Sequence, residues 1–201
     1  ILIDGIPVKE YRIADLRKKI GYVPQKVTLF SGTIAENICF GNEDSTEERM
    51  IQAAKIAQAY DFIMEKERQF HAPVAQGGSN FSGGQKQRLA IARAIMRKPE
   101  IYIFVDSFSA LDFKTDATLR KALAEETADA TMIIVAQRVS TIMYADRILV
   151  LDEGQVVGQG THAELLQNCE IYREIVESQL SAEEMEWAEW IRTEDLMIIS
   201  Q

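Results

Sequence analysis

The sequence predicts an α/β fold with parallel strands and a helical subdomain inserted into it. Short apolar runs alternate along the chain with helical patterns, which is typical of an α/β layer. The runs IYIFV at 101–105 and MIIVA at 132–136 are apolar at every residue, so we expect strands buried on both faces. Between residues 26 and 97 no strong strand follows residue 40, and this segment is predicted to be mainly helical.

Local signals predict the other elements. A first strand, ILID, precedes Gly5 at the start of the chain. A charged, alanine-rich helix is expected over 114–128. The sequence of residues 148–160 indicates a hairpin that turns near Gly154 and caps the edge of the sheet.

Two capping boxes predict helix starts, because a hydroxyl and a carboxylate three residues apart each satisfy a free backbone N–H group. These pairs and the helices that they predict are Ser45 with Glu48 for residues 46–59, and Thr161 with Glu164 for residues 162–179.

Composition and net charge limit the kinds of molecule that this chain is expected to bind. With 201 residues, of which 47% are hydrophobic and 26% charged, the chain has the composition of a globular domain. A net charge of −9 argues against binding to nucleic acid or to a bare membrane surface, both of which require a basic face. Cys39 and Cys169 lack metal-ligand or disulfide-framework spacing, which favours a reducing compartment. No apolar run approaches the roughly 20 residues of a transmembrane helix.

The most specific segment is NFSGGQKQRLAIARAIMRKP, residues 80–99, in which a Ser-Gly-Gly turn leads into a long amphipathic helix that ends at Pro99. Backbone N–H groups at a helix start form an anion site that the helix dipole strengthens. Two glycines allow a phosphate to approach closely, and the Ser82 hydroxyl can donate one more hydrogen bond. Taken alone, SGG would be better explained by a glycine turn that caps a helix.

The whole segment resembles the signature motif of ATP-binding cassette (ABC) proteins, whose usual form is LSGGQ followed by a QR-containing helix. Phe81 replaces the Leu of that motif. Further segments follow the family's order, and the resemblance covers roughly residues 1–180. They are a Q-loop region at 20–41 with Gln25, a D-loop SALD at 109–112, a switch region VAQRVST at 135–141 and the stretch GQGTHAELL at 158–166.

The resemblance implies a P-loop NTPase-like (RecA-like) core with a parallel sheet, lacking its N-terminal part and carrying an inserted helical subdomain. It divides the chain into four segments. These are a partial ATP-binding core ending at the Q-loop (1–25), the helical subdomain with the signature motif (26–97), the remaining core with strand, D-loop and switch (98–180), and a tail (181–201).

The same resemblance implies the cofactors ATP and Mg²⁺ and the residues that bind them. Gln25 would contact the metal and the attacking water. Asp112 would lie at the interface between two ATP-binding domains. The residues expected to contact ATP held by the partner domain are Ser82, Gly83, Gly84 and Gln85.

Three departures from the family pattern fall on its hydrolytic residues. At the end of the buried strand the family has an Asp that holds Mg²⁺ and then a Glu that polarises the attacking water. Alignment from both sides places Val105 at the Asp position and Asp106 at the Glu position. A slipped alignment, with Asp106 as metal ligand and Ser107 at the Glu position, would need a deletion before SALD. At the switch, Gln137 stands where the family has His, and an amide cannot take up a proton near neutral pH.

The phosphate-binding motif G-x-x-x-x-G-K-[ST], which in the family precedes the segment that begins here, does not occur in the sequence. We therefore expect either a fragment or a truncated parent. The favoured hypothesis is part of the degenerate ATP-binding subunit of a heterodimeric ABC exporter, attached to a transmembrane domain at the cytoplasmic face of the membrane. The alternatives are a competent homodimeric ATPase that uses Asp106 as base, and a gene remnant or interaction module.

Overall fold

The computed structural model describes residues 1–42 and 45–179, so the predicted tail at 181–201 lies outside the described residues. The chain forms two compact units, Ile1–Val135 and the part from Ala136 onward. Within the described ranges, no helix has both the length and the apolar character needed to cross a membrane.

The elements of both units follow in chain order. The strands of the first unit are β1 (Leu2–Ile3), β2 (Ile6–Pro7), β3 (Ile20–Val23), β4 (Gly32–Thr33), β5 (Pro73–Val74), β6 (Ile101–Val105) and β7 (Thr131–Val135). Its helices are α1 (Ile13–Lys19), α2 (Ile34–Ile38), α3 (Glu47–Ile56), α4 (Tyr60–Met64), α5 (Gly83–Met96) and α6 (Phe113–Glu126). The second unit has α7 (Val139–Ile142), β8 (Ile148–Asp152), β9 (Gln155–Gly160), α8 (His162–Asn168) and α9 (Glu170–Gln179).

The predicted parallel sheet is confirmed in the first unit. Its strands lie in the order β3-β6-β7, and Ile103 of β6 pairs with Tyr22 on one side and with Ile133 on the other. Helices connect these strands, as parallel pairing requires: α2 to α5 lie between β3 and β6 in the chain, and α6 lies between β6 and β7. Because the strands are parallel, their carboxyl ends meet at one edge of the sheet.

Burial of this sheet on both faces, which the apolar runs led us to expect, is wrong. Tyr102 and Phe104 of β6 are buried on one face, where their rings stack with centroids 6.0 Å apart. Tyr22, Ile133 and Val135 are 58%, 47% and 54% exposed. Side chains alternate between the faces of a strand, so an all-apolar run also fits a strand whose second face stays open in the described part of this unit.

Helices α2 to α5 occupy much of residues 26–97, in agreement with the predicted helical character. The long helix α5 is the centre of this packing, and Leu89, Ile91 and Ile95 on it are fully buried. The short strands β4 and β5 pair antiparallel within the same segment. The apolar spacing of α5 therefore reflects a helix enclosed by its neighbours.

The capping box predicted at Ser45 and Glu48 is wrong by one residue. The N-cap of α3 is Thr46, whose hydroxyl accepts a hydrogen bond from the Arg49 N–H at 3.2 Å. Thr46 caps α3 as an N-cap alone, since residue 49, three positions after it, is an arginine that cannot complete the box. Burial raises the pKa of the Cys39 thiol, and the nearby Ser45 acts in the opposite direction.

The second unit contains the predicted hairpin and the second capping box. β8 and β9 pair antiparallel in a two-stranded sheet, and Gly154 turns with a φ of +79°, a conformation that glycine favours. The capping box of Thr161 and Glu164 is confirmed. The helix predicted over 162–179 is two helices, because Cys169 is extended and ends α8.

Candidate functional site

The carboxyl end of β6 carries Asp106 in a constrained backbone conformation. Its φ of +46° lies in the left-handed region that few non-glycine residues adopt, although Asp tolerates it better than most. The Asp106 N–H donates to the Val135 carbonyl of β7 at 2.7 Å, which fixes the chain as it leaves the sheet. The side chain therefore begins from a defined position at the strand edge.

Gln25 reaches Asp106 across the sheet edge. Its Nε2 donates to Asp106 Oδ2 at 2.9 Å, although the two residues are 81 positions apart in the chain. The contact follows from the topology, because β3 and β6 are parallel neighbours and Gln25 and Asp106 each follow one of these strands. The structure thus brings together two of the predicted site residues.

The neighbours of Asp106 offer no second carboxylate at the strand end. Val105 has an apolar side chain without an oxygen ligand. The hydroxyl of the fully buried Ser107 lies 3.0 Å from the Val23 carbonyl, to which it donates. That hydroxyl is engaged inside the core, which disfavours the slipped alignment that would put Ser107 at the water-polarising position.

A second, unpredicted glutamine connects this edge to α5. Gln87 is 4% exposed, and its Nε2 donates to the Pro24 carbonyl, immediately before Gln25, at 3.4 Å. In the sequence, Gln87 lies four residues before the apolar Ile91, and this spacing places the Gln87 amide on the buried face of α5. A buried amide in a helix core needs a partner, and the Q-loop backbone provides it.

The start of α5 is a capping box that the sequence analysis did not identify. The Ser82 hydroxyl accepts from the Gln85 N–H at 3.2 Å, and the Gln85 side chain accepts from the Ser82 N–H at 3.1 Å. Gln85 therefore has a structural role at its predicted position. The Ser82 hydroxyl still has its own proton to donate, because in this box it acts only as acceptor.

The two glycines that follow Ser82 differ in their surroundings. A Cβ built on Gly83 meets no heavy atom within 4 Å, so its backbone lies open to a ligand. A Cβ built on Gly84 would lie 3.0 Å from the Ala110 carbonyl oxygen. A side chain at Gly84 would thus press against the turn at 109–112, whereas Gly83 leaves room in front of the helix N-terminus.

Asp112 is the N-cap of α6, and its carboxylate accepts from the Thr115 N–H at 3.0 Å. Hydrogen bonds from the Thr115 backbone and hydroxyl lower the pKa of Asp112, and the charge of Arg88 acts weakly in the same direction. Arg88 itself donates to the Gln58 carbonyl at 2.7 Å. The predicted place of Asp112 at a domain interface remains a prediction, and its local role is to start α6.

Gln137 lies in the second unit, at the start of the turn that leads into α7. Its side chain is exposed, and its carbonyl accepts from Gln179 Nε2 at 2.8 Å. The same Gln179 side chain accepts from the Val139 N–H at 2.9 Å. This clamp from α9 fixes the backbone on both sides of Arg138, so the position of Gln137 within its unit is well defined.

Gln25 and Asp106 supply the chemistry that a magnesium ion selects, since amide and carboxylate oxygens are hard ligands. Within the described residues no group of three or more His, Cys, Asp or Glu side chains forms a complete metal site. Mg²⁺ often keeps several waters and uses one or two protein oxygens together with substrate phosphates. The pair therefore fits a nucleotide-dependent site rather than a protein-only one.

Comparison with known proteins gives a consistent result. The sequence pattern of the family described as "ABC transporter" matches residues 1–108. An uncharacterized ABC transporter ATP-binding protein of Mycobacterium tuberculosis is 48% identical over 182 residues, which cover 89% of this chain and 31% of that protein. A Staphylococcus aureus protein named as a multidrug export ATP-binding/permease protein is 42% identical over 179 residues, again covering 89% of this chain and 31% of its own length.

A solved structure shows the same fold. It is that of a bacterial Atm1-family ABC exporter with ATP bound, which superposes with a TM-score of 0.84 at 37% identity. The match covers 87% of this chain and 31% of the exporter chain. The chain thus spans about a third of the length of these known proteins.

Proposed function

This chain belongs to the ABC transporter family, and on that premise we propose that it is part of the degenerate ATP-binding subunit of a heterodimeric ABC exporter. In this proposal its own ATP site binds nucleotide but hydrolyses it weakly. Its signature loop, residues 82–85, completes the ATP site of the partner subunit, where hydrolysis takes place. The relatives named as exporters support the class of transporter.

The observation that carries the proposal is the pair Val105 and Asp106 at the end of β6. A valine offers no ligand where the family holds its metal, so Mg²⁺ would depend on Gln25, Asp106 and the nucleotide phosphates. The metal would supply charge neutralisation for the phosphates. Asp106 is one methylene shorter than the family's Glu, and a displacement of about 1 Å from productive geometry can cost about 100-fold in rate.

The signature loop keeps what it needs to act on a partner. The Ser82 hydroxyl and the open backbone at Gly83 stand at the N-terminus of a 14-residue helix, where the dipole favours an anion. These groups would donate to the γ-phosphate of ATP held by the partner. Donors placed in advance stabilise the charge that develops during phosphoryl transfer.

An aromatic patch in the Q-loop region supports a contact with a transmembrane domain. Phe30 and Phe40 stack with centroids 4.4 Å apart, yet they are 46% and 53% exposed. Arg93 lies over Phe30 at 5.1 Å and donates to the Asn37 carbonyl at 2.7 Å, which holds the pair in place. We assign this patch to the membrane-spanning part of the transporter, which would place the chain at the cytoplasmic face of the membrane.

One observation favours a second candidate, the competent homodimeric ATPase. Asp106 lies at the strand end with the Gln25 amide hydrogen-bonded to its carboxylate. In this position Asp106 could act as the base. Against it stand Val105, which cannot hold a metal, and Gln137, which cannot accept a proton near neutral pH.

A comparison of two variants in the full-length transporter tests the proposal. Ser82→Arg should abolish ATP hydrolysis, because its bulk fills the place of the γ-phosphate. Asp106→Asn should leave the total rate nearly unchanged. Ser79→Arg is the matched control, since Ser79 is exposed in the same loop and precedes the signature turn. If Asp106→Asn is the more damaging variant, catalysis belongs to this chain's own site and the homodimeric ATPase is favoured.

A further inference from the structure

We propose that Lys66 is a positioning residue for the signature loop: its ammonium group, stacked on the Phe81 ring, holds residues 82–84 where the partner's ATP requires them. The inference rests on the proposed function, because it concerns the same loop. It adds a side chain that sequence motifs do not identify and that lies 16 positions before the turn.

The contact is direct. Lys66 Nζ lies 4.6 Å from the centroid of the Phe81 ring, within the range of a cation–π interaction. Phe81 is 6% exposed and belongs to the main hydrophobic core. The ring is thus held by the core and by a cation, and the next residue in the chain is Ser82, the N-cap of α5.

The segment that carries Lys66 is itself fixed. The Lys66 N–H donates to the Ile63 carbonyl at 3.1 Å, and the Lys66 carbonyl accepts from the Gln69 N–H at 2.9 Å. The Lys66 side chain is half-buried, so its motion is limited to rotations about its own aliphatic bonds. Because the backbone of the turn is fixed, the ammonium group can restrain the Phe81 ring.

Further hydrogen bonds anchor the loop that precedes the signature turn. Asn80 accepts from the Ala75 N–H at 3.0 Å and donates to the Pro73 carbonyl at 2.8 Å. The Phe81 N–H donates to the Gly78 carbonyl at 3.0 Å. These bonds fix the backbone up to residue 81, and the stacked ring extends that order to the donors of the turn.

Phe81 is also the residue at which this signature motif departs from the usual Leu. A leucine can fill the core but has no π face for a cation. With Phe81 in place of leucine, the position of the loop therefore depends on the contact with Lys66. Replacing either partner removes the same contact, and replacing both should remove nothing more.

The test uses the full-length transporter with its partner subunit and measures kcat and KM for ATP together with the midpoint of thermal unfolding. Lys66→Met and Phe81→Leu should each lower kcat by about 3- to 10-fold, with KM unchanged, since the loss of one partly buried cation–π contact has effects of this size. The double variant should be no slower than either single one. Lys66→Arg should restore the rate, because a guanidinium also stacks on a ring.

Lys55→Met is the matched control. Lys55 lies 5.1 Å from the centroid of the Tyr60 ring, so it removes a similar contact in the same helical segment away from the turn. Its kcat should equal that of the wild type. A wild-type kcat for Lys66→Met, a slow Lys66→Arg, or a rate loss explained wholly by less folded protein would overturn the inference.

Ser82→Arg separates this inference from the proposed function. If Ser82→Arg abolishes hydrolysis while Lys66→Met does not change it, only the role of Lys66 is wrong. If Ser82→Arg leaves hydrolysis intact, the signature loop does not act on ATP and both proposals fail.

Discussion

Gly83 and Gly84 are expected to respond differently to replacement by alanine, although they are adjacent in one turn. A Cβ on Gly83 enters open space, whereas a Cβ on Gly84 would meet the Ala110 carbonyl oxygen at 3.0 Å and Leu111 Cδ2 at 3.6 Å. Neither glycine is among the residues with positive φ, so the backbone at both positions suits alanine.

The expected stabilities follow from these contacts. Glycine within a helix costs about 0.5–1 kcal/mol relative to alanine, so Gly83→Ala should stabilise the folded state by up to that amount. For a domain of this size the gain corresponds to a rise of about 3 °C in the midpoint of thermal unfolding. At Gly84 the tight contact offsets the gain, and we expect no change or a loss of about 1 kcal/mol.

The ATPase activity of Gly83→Ala should fall, although its stability is expected to rise. The methyl group of Gly83→Ala occupies the space in front of the helix N-terminus, where the partner's γ-phosphate would approach the backbone. A displacement of about 1 Å there should lower hydrolysis by the full-length transporter about 100-fold. Gly83→Ala is therefore expected to be more stable but less active than the wild type.

Thermal unfolding followed by circular dichroism and a steady-state ATPase assay measure the two effects on one preparation. Ser79→Ala, an exposed position in the same loop, controls for general effects of substitution. A fully active Gly83→Ala transporter would refute the close approach of phosphate to this backbone, whatever its stability.

Three further predictions concern the departures, the isolated chain and pH. The triple variant Val105→Asp, Asp106→Glu and Gln137→His should raise ATP turnover of the full-length transporter, and an unchanged rate would show that this site is blocked elsewhere. The 201-residue chain alone should bind ATP only weakly, since it contains no G-x-x-x-x-G-K-[ST] motif, and calorimetric titration showing micromolar affinity would contradict this. Burial lowers the pKa of His162, whose Nδ1 lies 2.8 Å from the Tyr172 hydroxyl, so folding favours the neutral imidazole. Its contribution to stability should be present above the ordinary histidine pKa of about 6.5 and lost as the pH falls through the lowered value, and urea unfolding of His162→Gln should show a weaker loss.

The sequence predicted those features that depend on local pattern or on topology. Gln25 and Asp106 were named separately from the family resemblance, and the parallel pairing of β3 and β6 explains why they lie in contact, because it brings the carboxyl ends of the two strands together. The N-cap at Thr46 and the stacking of Lys66 on Phe81 were not predictable in this way. The stacking depends on a contact between two segments, which no local spacing encodes, and the N-cap falls one residue after the Ser45 and Glu48 pair that matched the capping-box pattern.

The same reasoning explains why the open face of the sheet was missed. An all-apolar strand is consistent with two buried faces or with one, because periodicity reports side-chain polarity and not what lies opposite. The exposed Ile133 and Val135 are apolar residues in an all-apolar run, as are the buried Tyr102 and Phe104. Only the packing partners of each face distinguish them.

The backbone at Asp106 holds the side chain on which the proposed nucleotide site depends. A non-glycine residue in the left-handed region costs on the order of 1–3 kcal/mol and persists where its surroundings enforce it. Here the bond from the Asp106 N–H to the Val135 carbonyl and the bond from Gln25 together hold that conformation. Asp106 thus has a fixed place at the strand end, while Val105 beside it offers no metal ligand, and this combination supports the proposal that the site binds ATP and leaves its hydrolysis to the partner.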